Sequence, residues 1–306
     1  MYQARRSSRS ERVPIRNLRY HVRIWGEPGA GKVPLVLVHG WMDVGASWQF
    51  VVDALPDDYY VIAPDWRGYG LTESPPADNY WFPDYLADLD FLLDHYSPSE
   101  PVNLVGHSMG GNIAMLYSGS RPQRIRRLVN LEGFGMAATR PSQAPKRYAK
   151  WMDELKALHR GELALKGYDS ADDVARRLMK TNRRLGQDKA DWLARHWARQ
   201  EPDGQWRILG DAAHKIINAS LFRVDEVLEI YQSITAPTLS VTASDNSLET
   251  WWKGKFTLAE YQERLLSVPR VEQAQVADAS HMLHHDQPEQ LARLIHDFLG
   301  NRSAGP

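Results

Sequence analysis

The chain has 306 residues, 43% of them hydrophobic, and a formal net charge of −1. Its length and apolar content suit one large α/β domain, alone or with an inserted lid, and its near-neutral charge disfavours a nucleic-acid partner, for which a basic excess is expected. The sequence contains no cysteine, which excludes disulfides, thiolate catalysis and cysteine metal ligands.

Membrane and export signals are also missing from the sequence pattern. No apolar run approaches the roughly 20 residues that a membrane-spanning helix needs. The first 26 residues carry seven arginines and no apolar signal core, and alternating apolar residues at positions 18 to 24 predict a strand there. We therefore expect a cytoplasmic protein without a membrane partner.

The first half of the chain alternates strand and helix patterns. The segments "VPLVLVHG", "YYVIAPDWRGYG", "VNLV" and "RRLVNL" are short apolar runs typical of buried strands. Between them, "SWQFVVDAL", "PDYLADLDFLLDHY" and "MGGNIAMLYSGS" have helical spacing. This alternation predicts a mostly parallel, doubly wound sheet with helices on both faces.

The alternation stops in the middle of the chain. Residues 136–235 show mainly helical patterns and contain four tryptophans, whereas "PTLSVT", "VEQAQV" and the helix "PEQLARLIHDFL" follow them. We predict an α/β core domain formed by residues 1–135 and 236–306, with a helical cap domain of residues 136–235 inserted into it.

A serine stands between glycines after the third of these buried strands. The segment "GHSMG", residues 106–110, has the pattern G-x-S-x-G and opens a helix. A nucleophilic hydroxyl must stand clear of the sheet, so the chain turns sharply there and only glycine fits two residues to either side. The helix also aims its N-terminal amides at developing negative charge. The pattern predicts that Ser108 is a nucleophile rather than a polar turn residue.

Four motifs together resemble the α/β-hydrolase-fold serine hydrolases over nearly the whole chain. They are His39-Gly40-Trp41, Asp65-Trp66-Arg67-Gly68, the serine turn at Ser108, and Ser280-His281. The segments "HGWMDVGASW" and "NLEGFG" are similar to the serine-hydrolase-like subgroup. The resemblance implies the α/β-hydrolase fold, a helical cap and catalysis without a cofactor, but it does not identify a substrate, because this fold supports many chemistries.

The resemblance also implies the oxyanion hole and the base. The two oxyanion donors would be the backbone amides of Trp41 and Met109. The base in this family lies between the last strand and the final helix, which points to His281, with His284 and His285 as alternatives.

The remaining histidines near these motifs receive other interpretations. His39 and His107 flank the serine, and we expect them to pack or hydrogen-bond rather than act as the base. A metal site formed by His281, His284, His285 and Asp286 is disfavoured, since no second group of ligands is apparent and the serine machinery is complete. We predict no metal.

The acid of the triad is open between two positions. Most of the family carries an aspartate three residues after a glycine that follows the strand after the cap. In this chain Ala243 replaces that glycine, Asn246 stands at the third position, and Asp245 is one residue early. Some relatives place the acid at the end of the strand after the nucleophile helix, where Glu132 stands. We favour Glu132 over Asp245, because a glutamate at a buried strand end has few structural reasons.

The sequence therefore predicts a serine hydrolase of carboxylic esters, thioesters or lactones. A hydrophobic acyl or aryl substrate is expected from the aromatic side chains around the predicted site, namely Trp151, Trp192, Trp197, Trp206, Trp251 and Trp252. The alternatives are carbon–carbon bond hydrolysis or lyase chemistry on the same triad, and a non-catalytic ligand receptor. Dehalogenase and epoxide hydrolase activities are disfavoured, because those relatives of this fold carry aspartate where Ser108 stands. The expected partner is a small hydrophobic ester-like molecule, and the expected assembly is a monomer or homodimer.

Overall fold

A computed structural model describes residues 2–300; Met1 and residues 301–306, which the predicted core domain includes, lie outside the described residues. The strands are β1 (Arg9–Ile15), β2 (Leu18–Trp25), β3 (Leu35–Val38), β4 (Val61–Pro64), β5 (Val102–His107), β6 (Ile125–Leu131), β7 (Gly167–Tyr168), β8 (Ala198–Gln200), β9 (Trp206–Ile208), β10 (Thr238–Ala243) and β11 (Val271–Val276). The helices are α1 (Gln49–Ala54), α2 (Pro83–Tyr96), α3 (Met109–Ser120), α4 (Ala144–His159), α5 (Ala171–Thr181), α6 (Gln187–Trp197), α7 (Val224–Gln232), α8 (Ser247–Trp252), α9 (Leu258–Leu265), α10 (Leu283–Asp286) and α11 (Pro288–Gly300).

An eight-stranded sheet forms the centre of the fold, in the order β1-β2-β4-β3-β5-β6-β10-β11. From β4 to β11 neighbouring strands run parallel, whereas β2 pairs antiparallel with both β1 and β4. The structure thus confirms the predicted mostly parallel sheet flanked by helices.

Helices cover both faces of this sheet, which explains why its central strands are apolar throughout. Side chains of α2, α3, α7 and α9 pack on one face, and those of α1, α10 and α11 pack on the other. All four residues of β3 and all four of β4 are buried, as expected for strands covered on both sides. Each fully buried leucine or valine contributes roughly 1.5–3 kcal/mol. The carboxyl ends of β3, β5, β6 and β10 meet at one edge of the sheet, which is where the predicted site residues follow.

The segment between β6 and β10 has an apolar cluster of its own. Helices α5 and α6 supply most of it, and Phe50 of α1 joins them from the core. A small antiparallel sheet in the order β7-β9-β8 lies in the same segment, where the sequence predicted mainly helices and no strand. These strands have two or three residues each, which is too short for an alternation pattern to be visible.

Helix α7 falls inside the range predicted for the cap, yet its side chains Val227 and Tyr231 pack in the cluster on the central sheet. The predicted domain boundaries remain a prediction. No helix among residues 2–300 has the length and apolar character needed to cross a membrane.

Candidate active site

The backbone turns sharply at Ser108, between the end of β5 and the start of α3. Ser108 has φ 53° and ψ −115°, a conformation that side-chain-bearing residues rarely adopt. A Cβ on Gly106 would lie 2.3 Å from the carbonyl oxygen of Gly110, and one on Gly110 would lie 2.4 Å from the carbonyl oxygen of Val38. The two glycines therefore permit a turn that any larger residue would obstruct.

The structure brings Ser108, His281 and Glu132 together in one hydrogen-bonded chain. The Nε2 atom of His281 lies 2.9 Å from Ser108 Oγ, and its Nδ1 atom lies 3.1 Å from Glu132 Oε2. A carboxylate oxygen can only accept, so the imidazole proton sits on Nδ1 and Nε2 accepts from the serine hydroxyl. This is the tautomer that a general base requires.

Glu132 is fixed from both sides. Glu132 directly follows β6, is buried, and has a backbone φ of 54°. Its second carboxylate oxygen, Oε1, accepts a hydrogen bond of 2.8 Å from the backbone amide of Ala243 at the end of β10. The carboxylate is therefore held between the neighbouring strand and the imidazole, with each oxygen committed to one partner.

Asp245, the other candidate acid, points elsewhere. Its carboxylate accepts two hydrogen bonds of 2.6 and 3.2 Å from the guanidinium of Arg184, and about half of its side chain is exposed. Asn246 accepts from the backbone amide of Glu249 and caps α8. Of the two alternatives left open by the sequence, Glu132 is the one placed against His281.

Two backbone segments flank the serine hydroxyl. A Cβ on Gly40 would lie 3.1 Å from the Cβ of Ser108, so the Gly40 backbone approaches the serine closely. Met109 is the first residue of α3, and its amide has no partner within the helix. His39 donates from Nδ1 to the Gly40 carbonyl at 2.8 Å, which directs the amide of the same peptide group, that of Trp41, to the opposite side.

The neighbouring histidines are buried and hydrogen-bonded, as expected from the sequence. His39 Nε2 accepts from the backbone amide of Trp66 at 2.9 Å, and burial holds the pKa of His39 below its usual range. His107 donates from Nε2 to the backbone carbonyl of His281 at 2.7 Å. Burial, and then the adjacent imidazoles of His284 and His281, hold the pKa of His107 well below its usual range. A neutral His107 thus positions the backbone of His281.

The metal group considered from the sequence is not assembled. The ring of His281 is engaged by Ser108 and Glu132, whereas Asp286 accepts from the amide and hydroxyl of Ser280 and from the side chain of Asn182. His284 and His285 are both buried, next to Trp48 and Phe50 respectively. Neither is among the hydrogen-bond partners of the Asp286 carboxylate named above.

The sequence analysis gave no role to Asp43, although it lies four residues after His39. Its Oδ2 atom is 3.6 Å from Nε2 of His284, and both side chains are buried. Burial raises the pKa of Asp43, but His284, together with His285 and His39, outweighs this effect and the pKa falls to about 2. A carboxylate so close to the "HGW" motif was the only sequence signal for this pair.

Of the tryptophans expected near the site, Trp251 lies at its edge and Trp252 packs in the hydrophobic core. The ring of Trp251 stands edge-on to His281, with ring centroids 4.3 Å apart, and half of Trp251 is exposed. Trp252 instead packs against Phe256 in the core. Trp41 is also half exposed, and its indole donates to the carbonyl of His214.

The four tryptophans of the inserted segment have mainly packing contacts. Trp192, Trp197 and Trp206 join the apolar cluster of α5 and α6, and Trp197 also donates to Asp43 Oδ1 at 2.9 Å. Trp151 donates to the side chain of Asn79. Packing within the segment between β6 and β10 therefore accounts for three of the four tryptophans.

Comparisons with known proteins agree with this architecture. The family described as alpha/beta hydrolase fold matches residues 33–288. A serine hydrolase-like protein of Danio rerio is 26% identical over 304 residues, which cover 98% of this chain and 90% of that protein. A cis-3-alkyl-4-alkyloxetan-2-one decarboxylase of Shewanella oneidensis is 34% identical over 153 residues, covering 46% of this chain and 44% of the relative.

Solved structures give the same fold. The thioesterase domain from the curacin biosynthetic pathway superposes with a TM-score of 0.81 at 22% identity, covering 94% of this chain and 99% of that domain. At this identity the likeness shows the fold alone. Because the family match spans most of the sequence and the sheet, the serine turn and the strand order follow the same plan, this chain belongs to the α/β hydrolase fold family.

Proposed function

We propose that this chain is a serine hydrolase that cleaves a carboxylic ester, thioester or lactone with a hydrophobic acyl or aryl group through an acyl-enzyme. The observation that carries the proposal is the continuous chain from Ser108 Oγ to His281 at 2.9 Å and on to Glu132 at 3.1 Å. Such a chain activates a hydroxyl that is otherwise a weak nucleophile.

In the first half-reaction, Ser108 Oγ attacks the substrate carbonyl carbon while His281 Nε2 takes the hydroxyl proton. Glu132 stabilises the imidazolium that forms. The carbonyl oxygen becomes an oxyanion, which the backbone amides of Trp41 and Met109 receive. Because the peptide groups are held by His39 and by α3, these donors need little reorganisation when the charge appears.

The tetrahedral intermediate then expels the alcohol or thiol, to which His281 returns the proton, and the acyl group remains on Ser108. In a lactone the leaving alcohol stays attached to the acyl chain. A water molecule attacks the acyl-enzyme with its proton passing to His281, and collapse of the second intermediate releases the carboxylic acid and restores the serine hydroxyl.

A hydrophobic substrate is favoured by the side chains around this centre. Trp251 stands against His281 and is half exposed, and Trp41 and Met136 are exposed to a similar degree in the segments that follow β3 and β6. Exposed large apolar side chains beside a catalytic group are typical of a binding surface for apolar groups.

The alternative chemistry on the same triad is carbon–carbon bond hydrolysis or a lyase reaction. The decarboxylase relative acts, by its name, on an oxetan-2-one, which is a four-membered lactone. Epoxide opening is disfavoured, since attack by Ser108 would leave an ether on the enzyme, which water does not cleave as it cleaves an ester. A ligand receptor without catalysis is the remaining alternative.

A fluorophosphonate probe separates the catalytic proposals from the receptor. The folded protein should react with the probe at one site, seen as one adduct by intact mass, and Ser108→Ala should abolish labelling. His281→Gln should slow it strongly while leaving Ser108 in place. Absence of labelling in the folded wild-type protein would refute the proposal of a working nucleophile.

The natural substrate class requires a separate measurement. Turnover of aryl and alkyl esters from acetyl to decanoyl and benzoyl should rise with the apolar size of the acyl group, because remote binding energy positions the carbonyl.

Cytoplasmic location, a monomeric or homodimeric state and the absence of a cofactor or macromolecular partner stay predictions.

A further inference from the structure

A second group of ligand-type side chains lies behind the active site. Asp43 follows β3, His107 ends β5, and His284 lies in α10. All three side chains are at least 98% buried, and one ligand atom from each lies within 4.8 Å of the other two. The proposed hydrolytic mechanism uses none of these atoms.

The ligand atoms of this group have no hydrogen-bond partner among residues 2–300. They are Asp43 Oδ2, His107 Nδ1 and both ring nitrogens of His284. A buried polar atom left unpaired is costly, so native proteins satisfy nearly all of them. Since His107 donates from Nε2 to the carbonyl of His281, its Nδ1 carries a lone pair that is available to a metal ion.

We propose that Asp43, His107 and His284 bind a divalent transition-metal ion, for which Zn²⁺ has the best-matched chemistry. Two imidazoles and one carboxylate form a nitrogen and oxygen ligand set that suits zinc, whereas calcium and magnesium prefer oxygen alone. The 3.6 Å separation of Asp43 Oδ2 and His284 Nε2 is longer than a hydrogen bond. It is close to the roughly 3.3–3.4 Å between neighbouring ligands of a tetrahedral zinc with bonds of about 2.0–2.1 Å.

The surroundings of the group resemble the outer shell of a metal site. Metal-bound histidines commonly donate their other N–H to a carbonyl, as His107 does to His281 at 2.7 Å. The second oxygen of Asp43 accepts from the amide of Val44 at 2.8 Å, from the indole of Trp197 at 2.9 Å and from the hydroxyl of Ser47. These contacts fix the carboxylate with its other oxygen directed at His284.

The role of such an ion would be structural. It would join the loop after β3, which carries Gly40 and Trp41, to the segment that carries His281. Three protein ligands leave one tetrahedral position for water. The proposal does not rest on the hydrolytic function, because the proposed mechanism uses none of the three ligand atoms.

The first test is metal binding by the full chain. Protein freed of metal with EDTA, and then of EDTA, is titrated with Co²⁺ and with Zn²⁺. We expect one Zn²⁺ per chain by elemental analysis, visible absorption bands of tetrahedral Co²⁺, and a rise in Tm of about 5 °C at a hundredfold excess over Kd. His284→Gln should weaken binding at least tenfold.

Two variants separate this site from other histidines. His159→Gln removes an exposed histidine that faces Asp78, and it should bind as the wild type does. His281→Gln removes the catalytic base, and metal binding should survive it. Fluorophosphonate labelling of the wild type, measured in parallel, reports on the hydrolase proposal separately.

The wild-type titration decides the matter even where a variant fails to fold. Fewer than about 0.1 ions bound per chain, no tetrahedral Co²⁺ spectrum, or a site lost with His281→Gln and kept with His284→Gln would each overturn the proposal. In those cases ordered water, or direct contact between His284 and Asp43, satisfies the group instead.

Discussion

Replacing Glu132 by glutamine should invert the hydrogen bonding of His281. One carboxylate oxygen of Glu132 accepts from the amide of Ala243, and the other faces His281 Nδ1. A glutamine has only one oxygen, and the Ala243 amide requires it. The NH₂ group is then directed at His281 Nδ1 and donates to it, so the ring proton moves to Nε2.

The cost of this inversion follows from the geometry. An Nε2 that carries a proton cannot accept the hydroxyl proton of Ser108 across the 2.9 Å that separates them. Loss of the correct tautomer by an acid-to-amide change in a triad lowers kcat about 10⁴-fold, which corresponds to about 5 kcal/mol of transition-state stabilisation. KM should change little, because the replaced atoms do not face the substrate.

The assay is steady-state hydrolysis of an ester that the wild type cleaves, with Tm as the check on folding. Asp245→Asn is the matched control, since it removes a carboxylate of the same region whose partner is the exposed Arg184. Such a pair is worth roughly 0–1 kcal/mol to stability, and turnover should stay within about twofold. More than a tenth of wild-type kcat in Glu132→Gln, or a larger loss in Asp245→Asn, would refute the assignment of the acid.

Three further perturbations test the packing around the site. Gly110→Ala should destabilise the protein by about 3 kcal/mol or prevent folding, since its Cβ would lie 2.4 Å from the Val38 carbonyl oxygen; a denaturation midpoint equal to the wild type would contradict this. Trp251→Ala should flatten the dependence of kcat/KM on acyl length, whereas Trp206→Ala, in the cap cluster, should lower Tm and leave the dependence intact. The opposite pattern would exclude Trp251 as a substrate contact. Burial lowers the pKa of His214 to about 3. Below about pH 6.5 the unfolded chain therefore binds a proton at His214 that the folded chain does not, and this residue alone should lower the unfolding free energy by up to about 1.4 kcal/mol per pH unit on acidification. His214→Phe, which keeps a ring stacked between two tyrosines, should reduce that slope, and an unchanged slope would count against it.

The fold and the serine turn were predictable because local pattern and global architecture agree there. Four apolar runs, the helices between them and the glycines at 106 and 110 each reflect a single physical constraint, namely burial on both faces or lack of space for a Cβ. The position of Glu132 was favoured because a buried strand end offers a carboxylate few other partners. The hydrogen bond from the Ala243 amide to its second oxygen joins residues of two different strand ends and leaves no local sequence signal.

Other features were not predictable because they depend on distant residues. The small sheet of β7, β8 and β9 pairs strands of two or three residues, which carry no periodic signal. The burial of Asp43 against His284 joins positions 241 residues apart in the numbering, and neither has an unusual sequence neighbourhood. Similarly, Trp192, Trp197 and Trp206 pack against the apolar cluster of α5 and α6. Hydrophobicity alone does not distinguish a tryptophan that packs in a core from one that contacts a substrate.

Because Glu132, which directly follows β6, faces His281, the carboxylate in the loop after β10 has a different partner. Most of this family carries the acid in that loop, where this chain has Asn246. Asp245 of the same loop accepts two hydrogen bonds from Arg184, which lies between α5 and α6. This ion pair joins the loop after β10 to the segment between α5 and α6, and because both side chains are partly exposed, it weakens as ionic strength rises. The Glu132 carboxylate, which is buried against His281, is screened much less by salt.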